Sequence, residues 1–438
     1  MTTAIIGGGA AGVAAALAAA QQGQQVLVLE RGAKPLKKLG VTGNGRANVL
    51  NSGSPAYYGD TAFAQAVLRH MDYPALVTFF QQLGVPLRTE TEGRVYPAAL
   101  LASVVVDALL LRAQQLGVIF QCGTKVERIQ KTADGFAIHA MRAGETVPAE
   151  QSGKRAKKET KPATDAAAKP VLLHAQRVII ACGGAAAPAH GTDGSGYALL
   201  TAFGHTCTPL KPALCALLTD KRRIAGLSGQ RVRARLTLSA GNGQRLHATE
   251  GEALFGDDAI SGIAAMQLAR FVADGARLTL DLRPAVCWGD FAPGAAADVP
   301  DSSVLSQVAA LAAMRGQCSA ATLLTGAFPT PVARFLCREA GIPALAAPIH
   351  TLPKTALANL ADAICGVRLP ITGTRGFAHA QVTAGGITAA EFDPATLESK
   401  LCKGLYAAGE VLDVDGDCGG FNLMFAFASG LSAGRAGR

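Results

Sequence analysis

Apolar and polar positions along the chain change period at recognisable points. Thr3-Ala4-Ile5-Ile6 is a short apolar run that predicts a strand. Six residues rich in glycine follow, then an alanine-rich run to Ala20 with helical character, then Gly23. Val26-Leu27-Val28-Leu29 predicts a second strand, ending at Glu30. Residues 117–120 and 125–129 read as strand, turn, strand, and residues 171–173 and 177–181 as two further strands. Residues 231–238 alternate strictly, so Arg231, Arg233 and Arg235 share one strand face, either solvated or turned toward an anion. Residues 251–262 are expected to open a helical region that includes 303–316 and 331–340, where apolar residues recur at helical spacing. Near the C-terminus, residues 404–408 predict a strand, and an apolar helix of small residues is expected to reach Ala433.

The opening segment carries the first chemical signal. Gly7, Gly9 and Gly12 fill the spacing Gly-x-Gly-x-x-Gly, with Ala10 and Ala11 between them. Such glycines allow a tight turn, close approach of a pyrophosphate, and close packing of helix on strand. The helix start offers unpaired N–H groups and a positive end to phosphates. Glu30 lies 18 residues after Gly12, placed to accept hydrogen bonds from a ribose diol, and Arg31 follows it. Strand, glycine turn, helix, strand and acid together predict dinucleotide binding.

Two more segments could grip the same ligand. In residues 34–48, Thr42, Gly43, Asn44 and Gly45 form a glycine-rich turn flanked by Lys38, Arg46 and Asn48. Such a loop presents backbone amides, cations and neutral amides to phosphate or to a polar ring edge. Near the end, Gly409 and Glu410 close a strand, and Cys418-Gly419-Gly420-Phe421-Asn422-Leu423 feeds a helix start. Glu410 can bind ribityl hydroxyls, and the Gly419-Gly420 amides can face an electron-rich ring edge.

With these motifs the chain resembles the two-dinucleotide-binding-domain flavoproteins. It is similar to the branch that contains bile-acid Δ4,6-reductase, aminoacetone oxidase and a ribosomal RNA dihydrouridine synthase. The matching stretches are residues 4–12, 34–51, 178–206, 251–262, 373–387 and 399–434. The resemblance implies FAD as cofactor, with the Val126 backbone near the adenine and Ala181-Cys182-Gly183 making a second close approach. The family pattern Gly-Arg-Cys-Asn reads Gly45-Arg46-Ala47-Asn48 here, so a thiol role at that position is absent. The implied fold is α/β: a Rossmann-like, glutathione-reductase-type FAD-binding domain interrupted by a small β-barrel and a helical subdomain. The expected boundaries are 1–195 and 353–438 for the FAD-binding domain, 196–250 and 331–352 for the barrel, and 251–330 for a helical lid. Residues 372–376 and 380–387 are expected to form a strand pair leading back to the flavin.

The resemblance also implies an oxidoreductase. The expected reaction is reduction of a carbonyl-conjugated C=C bond in a small enone, with NAD(P)H as transient reductant because no second nicotinamide fingerprint is visible. Dihydrouridine synthesis on 23S rRNA and oxidation of a small amine by oxygen are the alternatives. Alkene reduction needs a proton donor near the substrate. No residue is assigned that role firmly; Cys418, beside the diglycine, is the candidate thiol. His190, His350 and His379 stand alone and read as structural.

Composition limits these readings. Hydrophobic residues make up 49% of 438 and charged residues 17%, which excludes a disordered chain. No long apolar stretch lacks glycine and charge, so neither a membrane span nor a signal peptide is expected. Ten scattered cysteines without Cys-x-x-Cys read as reduced, mostly buried thiols of a cytoplasmic protein, with no metal site. The net charge of +9 favours anionic partners, RNA among them. Residues 149–170 contain six Lys or Arg in an alanine, threonine and proline context and are expected to form a flexible basic insertion. Oligomeric state is not legible.

Overall fold

The computed structural model describes residues 1–54, 56–143, 168–283, 301–342 and 344–436. The expected basic insertion falls almost entirely on residues 144–167, outside the described residues. The chain divides into two units, Met1–Lys211 with Val382–Arg438, and Pro212–Gln381.

The first unit is built on a parallel five-stranded sheet. Its order is Leu405–Ala407, Arg177–Ile180, Thr2–Ile6, Gln25–Leu29 and Ile119–Gln121. Ala4 pairs with Val178 on one side and Leu27 on the other. Apolar runs suit this position because both faces of the sheet are covered, and Ile5, Val178, Ile179 and Ile180 are buried. The helix Ala10–Gln21 is buried from Ala11 through Ala19 and has no polar face. It lies between the sheet and the last helix, Phe421–Arg435, and small residues set the spacing. A Cβ at Gly430 would stand 2.3 Å from the Ala11 carbonyl oxygen, so only glycine lets these helices approach so closely. A three-stranded antiparallel sheet, Lys169–Ala175, Gly135–Arg142 and Thr124–Thr132, carries Val126. A smaller one joins Leu50–Asn51, Arg94–Pro97 and Leu87–Thr89.

The second unit contains a closed six-stranded barrel. Its order is Leu217–Thr219, Ala259–Ser261, Arg245–Phe255, Arg231–Ser239, Arg277–Asp281 and Val367–Thr374. Alternation in Arg231–Ser239 places Val232, Ala234, Leu236 and Leu238 inside. The three arginines of the other face meet glutamates of the neighbouring strand: Arg231 pairs with Glu252 at 2.6 Å, and Arg233 and Arg235 with Glu250 at 3.4 and 3.6 Å. In place of an open anion-facing wall, the three arginines share two glutamates in a cross-strand ladder. Helices Asp301–Met314, Thr330–Glu339 and Lys354–Gly366 complete the unit.

The boundaries differ from those expected. Residues 251–255 and 259–261 are barrel strands, and the helix that follows is only Ile263–Gln267. Cross-strand pairing with Arg231–Ser239 overrides the helical reading there. Among the described residues, 331–352 contribute a helix and no strand, whereas Val367–Thr374 closes the barrel from the segment assigned to the cofactor domain. The expected strand pair is thus divided between units: Val367–Thr374 belongs to the second, and Val382–Ala384 lies in the first.

Of the nine described cysteines only Cys215 and Cys337 are buried, fewer than expected. Among the described residues no helix is long and apolar enough to cross a membrane.

Candidate functional site

The first strand ends in the glycine turn, and two contacts fix its shape. Gly7 has φ +106°, and a Cβ there would lie 2.5 Å from the Ala181 carbonyl oxygen. A Cβ at Gly12 would lie 1.9 Å from the Gly7 carbonyl oxygen, so the helix start sits directly on the turn. Gly9 is different: a Cβ there meets nothing within 4 Å. Gly9 is the N-cap of helix Ala10–Gln21, and no side chain accepts from the first turn. Glu30 follows the second strand and reaches back under the turn. Its Oε2 accepts from Gly8 N–H at 2.7 Å and its Oε1 from Gly32 N–H at 2.6 Å.

The loop after the second strand is held by cations. Arg31 donates to the Gly191 carbonyl from Nε and Nη2 at 3.1 and 2.7 Å, and Nη1 pairs with Asp193. Lys38 Nζ reaches Glu410 Oε2 at 3.1 Å. Glu410 Oε1 accepts from Thr383 N–H at 2.9 Å, and Thr383 Oγ1 accepts from Ala185 and Ala186 N–H at 2.8 and 3.0 Å. Lys38, Glu410 and the loop after Ala181-Cys182-Gly183 are therefore one network, and Thr383 at its centre was missed by sequence reasoning. Cys182 donates to the Ile6 carbonyl, and burial, then nearby Glu30, pushes its thiol up to about 12.

In the 42–48 turn, Thr42 Oγ1 donates to the Lys38 carbonyl at 2.8 Å. Gly43, Asn44, Gly45 and Ala47 all have left-handed backbone, with Gly43 and Asn44 exposed and Asn48 half-buried. Arg46 pairs with Glu90 at 2.8 Å and lies over the Tyr96 ring, so its charge is met within the protein. Val126 is buried in its sheet and pairs with Ala140.

The last helix begins at the second diglycine. Gly409 packs on Ala11, where a Cβ would come within 2.8 Å of the alanine methyl, and its N–H donates to Ser429 Oγ at 2.9 Å. Gly420 has φ +108°, and a Cβ there would meet the Leu50 carbonyl oxygen at 2.2 Å. Asn422 both donates to and accepts from Gly416 at 2.8 Å, and the Phe421 carbonyl accepts from Tyr57 OH at 2.9 Å. Leu423 is half-buried on the first turn. This helix also has a glycine N-cap and no side-chain cap. By contrast, Asp60 and Asp72 cap Thr61–His70 and Tyr73–Gln82 with 2.9 Å bonds.

Two helix starts with glycine caps, a backbone turn that tolerates no Cβ at Gly7 or Gly12, and a carboxylate at a strand end suit a ligand with phosphates and ribose hydroxyls. The first unit is therefore a dinucleotide-binding domain of the Rossmann type, and these donors fit FAD. The model for the HI0933-like protein Rossmann domain matches residues 1–152 and 147–436. The chain belongs to this family, the FAD-dependent oxidoreductase family that its motifs resemble. It is 36% identical to the 3-dehydro-bile acid delta(4,6)-reductase of Clostridium scindens over 418 residues, 94% of this chain and 92% of that protein. It is 25% identical to the ribosomal RNA dihydrouridine synthase of Escherichia coli, covering 97% and 95%. Among solved structures, the 3-ketosteroid-delta4-(5alpha)-dehydrogenase of Rhodococcus jostii RHA1 matches with a TM-score of 0.46 and 16% identity, covering 99% and 96%.

Proposed function

We propose that this protein reduces a C=C bond conjugated to a carbonyl in a small, steroid-like enone, using FAD and electrons from NAD(P)H. The observation that carries this reading is 36% identity, over nearly both full lengths, to a reductase named for a 3-dehydro-bile acid. FAD, when bound, supplies two-electron transfer. The chain's own residues bind and orient it: Gly7, Gly9 and Gly12 with the adjoining helix start hold the phosphates, Glu30 the ribose, and Lys38 with Glu410 the middle of the cofactor. The Gly419-Gly420 helix start would hold the ring end. The reaction also needs a proton for the second alkene carbon. Cys418 adjoins that diglycine, and burial raises its thiol above the usual value, so at neutral pH it holds a proton to give.

A second reading, dihydrouridine synthesis on ribosomal RNA, is favoured by the full-length likeness to the Escherichia coli enzyme and by the net charge of +9. One experiment separates them. Under anaerobic conditions NADH or NADPH should bleach the bound flavin, and a 3-oxo-4,6-diene steroid should restore the colour while being reduced. Bleaching without steroid turnover, with dihydrouridine lost from 23S rRNA in a deletion strain, selects the second reading. Bleaching by neither nucleotide removes the NAD(P)H-driven reductase.

A further inference from the structure

The small sheet of the first unit meets the start of the last helix. Asn51 is buried, and its Nδ2 donates to the Gly419 carbonyl at 2.8 Å and to the Glu92 carbonyl at 3.2 Å. Asn51 is paired with Arg94 across the sheet. A Cβ built on Gly419 would stand 3.3 Å from Asn51 Nδ2 and 3.6 Å from Arg94 Nε, so the Arg94 side chain lies against the 418–420 turn. Arg94 Nη2 pairs with Glu92. Arg94 Nε is buried and has no hydrogen-bond partner among the described residues.

A buried donor left without an acceptor costs about 1–3 kcal/mol, more when it belongs to a charged group. Native structures keep few such groups, and each asks for a reason. Here the surroundings point to an anionic oxygen. The uncapped helix Phe421–Arg435 starts at the same turn and brings its positive end with it. Cys418 adds no compensating negative charge, because burial keeps its thiol protonated even though Arg94 pulls the other way.

We propose that Arg94 Nε–H binds a carbonyl oxygen that gains negative charge during the reaction, beside the 418–420 turn. This rests on the oxidoreductase reading above. Two oxygens have that chemistry: a ring carbonyl of the flavin, and the carbonyl of the conjugated substrate. A planar guanidinium with one nitrogen anchored by Glu92 offers a fixed, charged donor to either.

The test uses FAD-loaded protein carrying Arg94→Gln, Arg94→Lys or Glu92→Gln, each checked for FAD content and melting temperature. Two quantities are measured: the midpoint potential of bound FAD by dye equilibration, and kcat/KM with binding of a 3-oxo-4,6-diene steroid. If the acceptor belongs to the flavin, Arg94→Gln lowers the potential, shifting the reduction equilibrium by on the order of tenfold or more. If it belongs to the substrate, the potential holds while kcat/KM falls by roughly 100- to 1000-fold, mostly in kcat. Glu92→Gln, which leaves the Nε–H in place, moves either readout much less. Should Arg94→Gln not fold, Arg94→Lys carries both readouts, since lysine keeps the charge and loses the Nε–H. An unchanged potential together with unchanged kcat/KM overturns the proposal. Failure of the unaltered protein to bind FAD or to turn over would instead bring down the reading on which it rests.

Discussion

Gly12 and Gly9 look alike in the sequence but do different work, and paired alanine substitutions separate them. A Cβ at Gly12 would lie 1.9 Å from the Gly7 carbonyl oxygen and 3.1 Å from its carbon. Contacts under 3.0 Å are not tolerated, so helix and turn must part by more than 1 Å. The obstructing atoms are backbone, which cannot rotate aside as a side chain can. Overpacking of this kind costs about 1–3 kcal/mol, and Gly12→Ala belongs at the top, about 3 kcal/mol. With a urea m-value near 3 kcal/mol per M, the first unit's midpoint falls by roughly 1 M. At Gly9 the space is open and φ is −80°, so only the glycine preference at the helix cap is lost, about 1 kcal/mol or less. If a pyrophosphate fills that space, the Gly9→Ala methyl displaces it, and the overpacking cost moves to the ligand. FAD then binds about 5- to 150-fold more weakly to a protein that melts almost normally. Urea melts of the apoprotein and flavin-fluorescence titrations measure both effects. Unchanged FAD affinity in Gly9→Ala would show that the phosphates lie elsewhere, and an unchanged midpoint in Gly12→Ala would refute the packing argument.

Two further outcomes follow from titratable groups. Burial pushes the Glu391 carboxyl up, but hydrogen bonds from His205 at 2.7 Å and from the Thr206 N–H outweigh it and hold the group below its ordinary value of 4.5. A carboxyl depressed by folding stabilises the protein above its unfolded value, and that stability is lost as pH falls through the folded one. The stability gap between the unaltered protein and Glu391→Gln should therefore shrink below about pH 4.5; a constant gap from pH 7 to pH 3 in urea melts would refute this. Burial pushes the Cys182 thiol up to about 12 and Cys337 to about 11, whereas Cys318 is exposed. At pH 8 an alkylating reagent should modify Cys318 first and the other two only on unfolding, read by peptide mass spectrometry.

The glycine turn was legible because its work is local: spacing alone shows where a tight turn must meet a helix. The barrel was not, because its strands are defined by distant partners. Residues 251–255 carry apolar positions compatible with either period, and only pairing with Arg231–Ser239 makes them a strand. Val367–Thr374 closes the barrel against Arg277–Asp281, a partner far away in the chain. The same limit hid Thr383, whose Oγ1 accepts from the N–H groups of Ala185 and Ala186, 198 and 197 residues away. Cations were legible as cations but not by their partners: Arg31 meets Asp193 and Arg46 meets Glu90. Arg94 drew no notice, since nothing in a sequence marks a donor that burial will leave unmatched.

The chain leaves the first unit and re-enters it at one doorway. Thr208 N–H donates to the Gly386 carbonyl at 2.8 Å, and Gly386 N–H donates back to Thr208 Oγ1 at 3.0 Å. Everything between forms a detour whose two ends are already clasped. Closing such a loop costs only about 0.6 kcal/mol more for each doubling of its length. By that rule the length of the excursion weighs little on the closure of the nucleotide fold, whose two edges the Thr208–Gly386 clasp already holds together.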